Sequence, residues 1–396
     1  MISLCQARSL IAEKIHPLPA QPTPLGEAAG RVLRADLTAA EDVPAFDRSA
    51  MDGYAVGLDD DSPAFRLAGE MQPGAGGELS LRQGECIRIF TGARLPAGAS
   101  QVLMQEDVRV ADGVVTPLKR GRETHIRLRG EDARRGDPLL AAGIGLGPGE
   151  LSLLAGAGIV RPMVSPAVRV AHLITGNEII SPGQLPAAGQ IRDSNGILVA
   201  ALIQSWGGQL VHQERVGDDF ELLRNKLAAA DRDYDLLLIS GGASVGDYDF
   251  GKRLLQELGF DLHFERINLR PGRPLVFATR GAQAAFVVPG NPMAHWVTMH
   301  VAVRLAMEAF TQAPPHWPVV RVRLAEAFAF RAYATETFWP ARVTIENGGL
   351  AVRARRWQSS GDVTGLAGVN ALLQLAANAA APQAGDELNA LLLNLP

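Results

Sequence analysis

Leu236-Leu-Leu-Ile-Ser-Gly-Gly-Ala-Ser-Val-Gly-Asp-Tyr-Asp249 decides the fold. Leu236 to Ile239 is an apolar run of strand length, and it breaks into glycines at Gly241, Gly242 and Gly246. Without a Cβ, these positions let the backbone turn sharply and aim its N–H groups at an anion. A helix predicted over 251–258 would add its positive end to the same spot. Asp247 and Asp249 add oxygens suited to a hydrated magnesium ion or a ligand amine.

Reading outward, the unit recurs. Val168 to Ile174 reads as a buried strand ending in Thr175-Gly-Asn-Glu178, and helix 196–206 follows. A strand over 210–213, a helix over 219–230 and the run 236–239 come next. Phe286 to Val288 ends in Pro289-Gly-Asn-Pro292 before a helix over 293–311. Strands alternating with helices predict an α/β fold, a parallel sheet with helices on both faces. Ligands of such sheets bind beyond the carboxyl ends of the strands, where these loops lie.

The loops carry candidate site residues. Glu178 sits just past a buried strand, where a carboxylate must be solvated, paired or functional. Asp193-Ser-Asn195 precedes a helix and suits both capping and ligand contact. Arg270 and Arg273 flank a Pro-Gly turn leading into a strand over 275–277, and two guanidinium groups on a stiff turn suit an oxyanion clamp. Asn291 offers a donor and an acceptor between prolines of fixed φ. His295 and His300 read as satisfied polar groups rather than metal ligands.

At roughly 150 residues per domain, 396 residues predict more than one domain. Residues 46–140 read as a small β domain of short alternating runs between turns. Residues 166–313 are the α/β domain, and 319–396 a C-terminal β domain after Pro314, Pro315 and Pro318. Segments 1–45 and 141–165 form a discontinuous helical and linker part, with packing of residues 1–20 on the sheet domain as the alternative for that stretch. Within it a helix is predicted over 3–15 with Ser3 as its cap, a short one near 25–33, and another over 147–158. The balance of 38 basic against 42 acidic residues gives a net charge of −4, with no broad basic field for nucleic acid or anionic lipid. No apolar run is long enough to span a membrane. Cys5 and Cys86 cannot build a disulfide framework or a zinc site alone, and read as thiols of a reducing cytoplasm.

The ordered set PAFDRSAMDGYAV, IFTGARLPAGASQVLMQED, RGEDARRGDPLL, TGNEI, IRDSN, SGGASVGDYDFGK, RPGRP and VPGNP resembles the MoeA-type molybdopterin molybdenumtransferases, a family that includes the gephyrin E-domain. The resemblance spans roughly residues 1 to 394. It implies a molybdopterin-binding-like sheet domain with small β-rich domains. It also implies insertion of molybdate into adenylylated molybdopterin, with Mg2+, to give molybdenum cofactor and AMP. Thr175, Gly176, Asp193, Ser194, Asn195, Ser240, Gly241, Gly242, Ser244, Gly246, Arg270, Arg273, Pro274, Pro289, Gly290, Asn291 and Pro292 would hold the substrates. Magnesium would be held among Asp249, Asp218 and Glu178. Asp52, Thr91, Asp132, Glu178 and Asp249 would be the catalytic set. The first three of these would come from the second subunit of a homodimer. Molybdopterin adenylyltransferase and apo-molybdoenzymes would be transient partners. Four departures stand out: Arg-Pro-Gly-Arg where the family usually has Lys-Pro-Gly-Lys, TGNE for TGDE, PGNPMA for PGNPVS, and a sparse C-terminal Ser-rich segment, Ser359-Ser-Gly-Asp-Val-Thr-Gly. The same motifs also fit a paralogue that binds molybdopterin without transfer, a binding or scaffold protein, and a transferase using tungstate.

Overall fold

Helix α1 (Leu4–Lys14) begins where Ser3 and Gln6 form a reciprocal capping box, and it buries Leu4, Ala7 and Ile11 at helical spacing. The computed structural model describes residues 1–77, 79–229, 233–241 and 250–394. It divides into two compact units. One comprises Met1–Gln21, Gly30–Arg34 and Val164–Pro396, and so includes α1. The other comprises Pro22–Ala29 and Ala35–Met163.

In the larger unit, β1 (Arg169–Thr175), β2 (Gln209–Val216), β3 (Leu236–Ser240), β4 (Asp261–Arg266), β5 (Pro274–Arg280) and β6 (Gln283–Val288) form one sheet in the order β2-β1-β3-β6-β5-β4. The first four positions of that order pair in parallel, and β5 and β4 add an antiparallel edge. The helices are α2 (Asn195–Ser205), α3 (Phe220–Ala229), α4 (Phe250–Glu257), α5 (Pro292–Thr298) and α6 (Arg304–Thr311). Alternate strand residues face opposite sides, so each helix set has its own core. Val170, Leu236, Leu238, Phe286 and Val288 pack with α1, α2, α5 and α6. Ala171, Leu173, Leu237, Ile239 and Val287 pack with α3 and α4. The helix predicted over 293–311 is broken by a π-helical turn, Met299–Val303, between α5 and α6. That widened turn carries His300 edge-on to Trp206 and Trp296, at 5.5 and 5.0 Å.

Beyond α6, β7 (Val319–Leu324), β8 (Glu336–Glu346), β9 (Gly349–Ala354), β10 (Ala371–Leu375) and β11 (Glu387–Leu392) pair in the order β8-β9-β7-β11-β10, and β10 returns to β8. The sheet is thus closed on itself, around Val322, Trp339, Val343, Val352 and Leu373.

The smaller unit is β-rich. Its six-stranded sheet contains Gly53–Val56, Phe65–Met71 and Glu85–Ile89. Tyr54 and Val56 face one core while Ala55 faces another, as the period of two requires. Cys86 is fully buried there and its thiol is pushed up to about 12 by burial, so it packs rather than reacts. The helix predicted near 25–33 is only a single 3₁₀ turn, Leu25–Glu27. Gly30 (φ 72°) is in the left-handed region that an α-helix cannot use. The helix at Pro148–Gly156 forms as predicted, with Glu150 accepting the Gly147 N–H at 3.0 Å.

Phe277 and Phe286 stack at 4.9 Å on neighbouring strands, and both are fully buried. Phe286→Ala should destabilise the sheet unit by about 3–5 kcal/mol. Urea unfolding followed by tryptophan fluorescence measures this. An unchanged midpoint would show that this face of the sheet is not the core.

Candidate functional site

The parallel register sets Ile174 beside Ser240, and Ser240 beside Val288. Three strands therefore end at one level, and their loops surround a cavity of about 1000 Å³. Gly241 is needed at this level: its φ is 93°, and a Cβ there would lie 2.6 Å from Thr175 Oγ1 and 2.9 Å from the Thr175 carbonyl oxygen. Thr175 Oγ1 donates to the Ser240 carbonyl (3.3 Å), and the Gly241 N–H donates to Val288 (3.2 Å).

Of the residues singled out by sequence, Thr175, Gly176, Glu178, Asp193, Ser194, Asn195, Asp218, Ser240, Gly241, Arg273, Pro274, Pro289, Gly290, Asn291 and Pro292 line this cavity. Asp193, nearly buried, caps α2 by accepting the Gly196 N–H at 2.8 Å, and its other oxygen meets Arg215 at 3.3 Å. Ser194 makes no capping bond, so the capping role falls on its neighbour. Asn195 Nδ2 donates to the Gly290 carbonyl at 2.7 Å, tying two loops together. Asn177 and Asp218 bond reciprocally through backbone N–H and side-chain oxygen, at 3.3 and 3.1 Å. Asn291 Nδ2 donates to Ser360 Oγ at 2.9 Å, and the Met293 N–H donates to the Ser360 carbonyl at 3.0 Å. These bonds anchor the segment that brings Gly361 and Val363 to the cavity wall.

Two arginines flank the Pro-Gly turn, but they part company. Arg273 lines the cavity. Arg270 is not among its lining residues; its guanidinium stacks 3.4 Å from the Tyr333 ring centre and 5.2 Å from that of Trp357. The cause is local pairing, because Leu269–Arg270 runs beside Glu336 and Thr337 of β8. Burial lowers the Arg270 pKa from its ordinary value. The two-arginine clamp is therefore not formed in this structure. Arg266 takes the second position: it pairs with Pro274 across β4 and β5 and lines the cavity, as does Arg192. In the sequence Arg266 opens the basic cluster 266–274 and Arg192 lies in the motif IRDSN, but neither is given a role there. The pattern Asp-Leu-His-Phe-Glu-Arg, a partly polar edge strand, was the signal that could have placed Arg266.

Gly242, Ser244, Gly246 and Asp249 lie outside the described residues. Among the described residues no group of three or more histidine, cysteine, aspartate or glutamate side chains is placed to hold a metal ion. In the smaller unit, Asp52 Oδ1 accepts both the backbone N–H and the hydroxyl of Thr91, each at 2.7 Å, which lowers its carboxyl pKa. Asp132 pairs with Arg127.

Three histidines are buried in the larger unit. Burial holds His172 well below its ordinary value, His295 down to about 4 and His300 down to about 3. The folded protein thus keeps them neutral, while the unfolded chain binds their protons below about pH 6.5. Stability should be flat above that pH and fall as the pH drops from 6.5 towards 4. The slope approaches about 1.4 kcal/mol per pH unit for each histidine. Urea midpoints at pH 8, 6.5, 5.5 and 5 test this. A constant midpoint across that series would contradict neutral burial.

The chain is similar to known proteins along most of its length. Residues 2–158 match the MoeA N-terminal region (domain I and II), 171–309 the probable molybdopterin binding domain, and 309–393 the MoeA C-terminal region (domain IV). A molybdopterin molybdenumtransferase of Haemophilus influenzae is 34% identical over 331 residues, 81% of this chain and 81% of that protein. Its counterpart in a Nostoc species is 32% identical over 387 residues, covering 94% and 88%. Among solved structures, the molybdopterin biosynthesis MoeA protein of Pyrococcus horikoshii aligns with a TM-score of 0.80 at 25% identity, over 99% of this chain and 100% of that one. With the three regions matched in order and relatives of this identity along most of its length, the chain belongs to the MoeA family.

Proposed function

We propose that this protein inserts molybdate into adenylylated molybdopterin, releasing AMP and forming molybdenum cofactor. The cavity carries the proposal. It is about 1000 Å³, large enough for a nucleotide-bearing ligand. Arg192, Arg266 and Arg273 supply positive charge on its wall. The names of the relatives point the same way.

The dithiolene sulfurs belong to the substrate, so the protein needs no cysteine nucleophile. Arg273 and Arg266 would hold molybdate oxygens through charge-assisted hydrogen bonds beside those sulfurs. Asn195, Asp193 and Asn291 would orient the polar rings of the ligand. Glu178 and Asp218 share the cavity and carry the hard oxygens that magnesium prefers. They would hold a hydrated Mg2+ with Asp249, and the ion would neutralise the phosphoanhydride that is cleaved. Asp52, Thr91 and Asp132 would complete the cleft from the other subunit of a homodimer, as the family resemblance implies. An adenylyltransferase would supply the substrate and apo-molybdoenzymes would take the product, in the cytoplasm.

The test is reconstitution with adenylylated molybdopterin, molybdate and Mg2+, scored by AMP release and by activation of an apo-molybdoenzyme. Wild-type protein should give both. Arg273→Ala should raise the molybdate requirement about ten- to a hundredfold, the worth of one charged hydrogen bond. Arg270→Ala should change it far less, since that side chain stacks on Tyr333. Failure of wild type to release AMP would overturn the proposal. Equal titration of Arg273→Ala and wild type would overturn the anion-binding role of Arg273.

A further inference from the structure

A chain of polar side chains that the reaction as described leaves unused ends at Ser240 of the cavity wall; His172 and Ser240 are buried, and Gln213 is exposed on the edge strand. Gln213 of β2, His172 of β1 and Ser240 of β3 sit on three adjacent strands. Gln213 Nε2 contacts His172 Nδ1 at 3.0 Å and the Gly196 carbonyl at 2.9 Å. His172 Nε2 contacts Ser240 Oγ at 2.5 Å. His172 is fully buried, and Ser240 is almost so while still lining the cavity.

The donors and acceptors in this chain can be arranged in one way. An amide nitrogen only donates, and the Gly196 carbonyl only accepts, which fixes the Gln213 amide. Its two hydrogens then go to Gly196 and to His172 Nδ1. Nδ1 must therefore be the unprotonated nitrogen, and the neutral ring carries its proton on Nε2. Nε2–H donates to Ser240 Oγ. The serine oxygen is thereby occupied as an acceptor by the ring, and its own proton is directed away from His172.

We propose that His172, its tautomer locked by Gln213, is a positioning residue that makes the Ser240 hydroxyl a donor to an anionic oxygen of the ligand in the cavity. The inference rests on the proposed substrate, whose phosphate and molybdate oxygens are acceptors without protons to give. A serine hydroxyl free to rotate could turn its proton inward to the ring; this one cannot. The arrangement favours oxyanions over ligand groups that donate hydrogen bonds.

The test has two arms on the full chain. In the first, histidine side-chain 15N–1H correlation spectra assign the tautomer, with His172→Gln identifying the signal. The proposal expects Nε2–H for His172 in wild type, and loss of that single form in Gln213→Leu. In the second arm, binding of adenylylated molybdopterin and of AMP is titrated, with thermal melts confirming that each variant is folded. Ser240→Ala, which removes a hydrogen bond to an anionic oxygen, should weaken binding about tenfold or more, and His172→Leu, which leaves the hydroxyl free to turn, about three- to tenfold. His172→Gln, which can place an amide N–H near the Nε2 position, should recover most of it. An Nδ1–H tautomer in wild type would overturn the inference. So would a folded His172→Leu that binds as wild type does. Wild-type protein that binds neither probe would overturn the proposed function, and with it the ligand that this relay is argued to serve.

Discussion

The register of three parallel strands is the constraint on which the site depends. Ile174, Ser240 and Val288 stand side by side, so the loops after β1, β3 and β6 leave the sheet at one level. A slip of one residue would reverse the facing of every side chain in the slipped strand. It would turn Leu238 out of one core and Ile239 out of the other, so the two buried faces hold the loops in place. The glycine after β3 is part of the same constraint, because any side chain there would strike Thr175.

Polar groups then tie the loops to one another. Asn195 joins the start of α2 to the Gly290 turn, and Ser360 joins Asn291 to the segment before β10. The result is a cavity whose shape is set by fixed backbone and whose wall carries three arginines and three carboxylates. The closed C-terminal sheet contributes through its contacts with the larger core, where Phe338, Leu372 and Leu391 pack with the helices of the sheet. It also withdraws Arg270 from the cavity by stacking it on Tyr333. The Arg-for-Lys change in the Pro-Gly turn thus has different consequences at its two positions. At 273 it alters the geometry of the proposed anion contact, and at 270 it supplies a flat group that an aromatic ring can hold.

Much of this was legible in the sequence, because long apolar runs report burial directly. Residues 236–239 were read as a strand and 251–258 as a helix, and the structure has Leu236–Ser240 and Phe250–Glu257. Edge strands were harder. β2 was expected over 210–213 but extends through Val216, since His212, Gln213, Glu214 and Arg215 break the apolar pattern of a strand exposed on one side. β4 was not foreseen, for the same reason, and so Arg266, which opens the basic cluster 266–274, had no role assigned. The cavity residues were legible because glycines, prolines and carboxylates at strand ends have few other uses. The fate of Arg270 was not, since its aromatic partners come from a distant part of the chain. Nor was the His172 relay, whose three members carry no local motif and meet only through strand order.

The central claim is that the ligand binds where these strand ends meet. Hydrogen–deuterium exchange of the full chain, with and without saturating adenylylated molybdopterin, measures this most directly. The account predicts slowed exchange in the segments 174–179, 193–197, 289–294 and 359–364, with the helix Leu4–Lys14 unchanged. Protection confined to that helix and to the region of Trp317, with none at the strand-end loops, would contradict it.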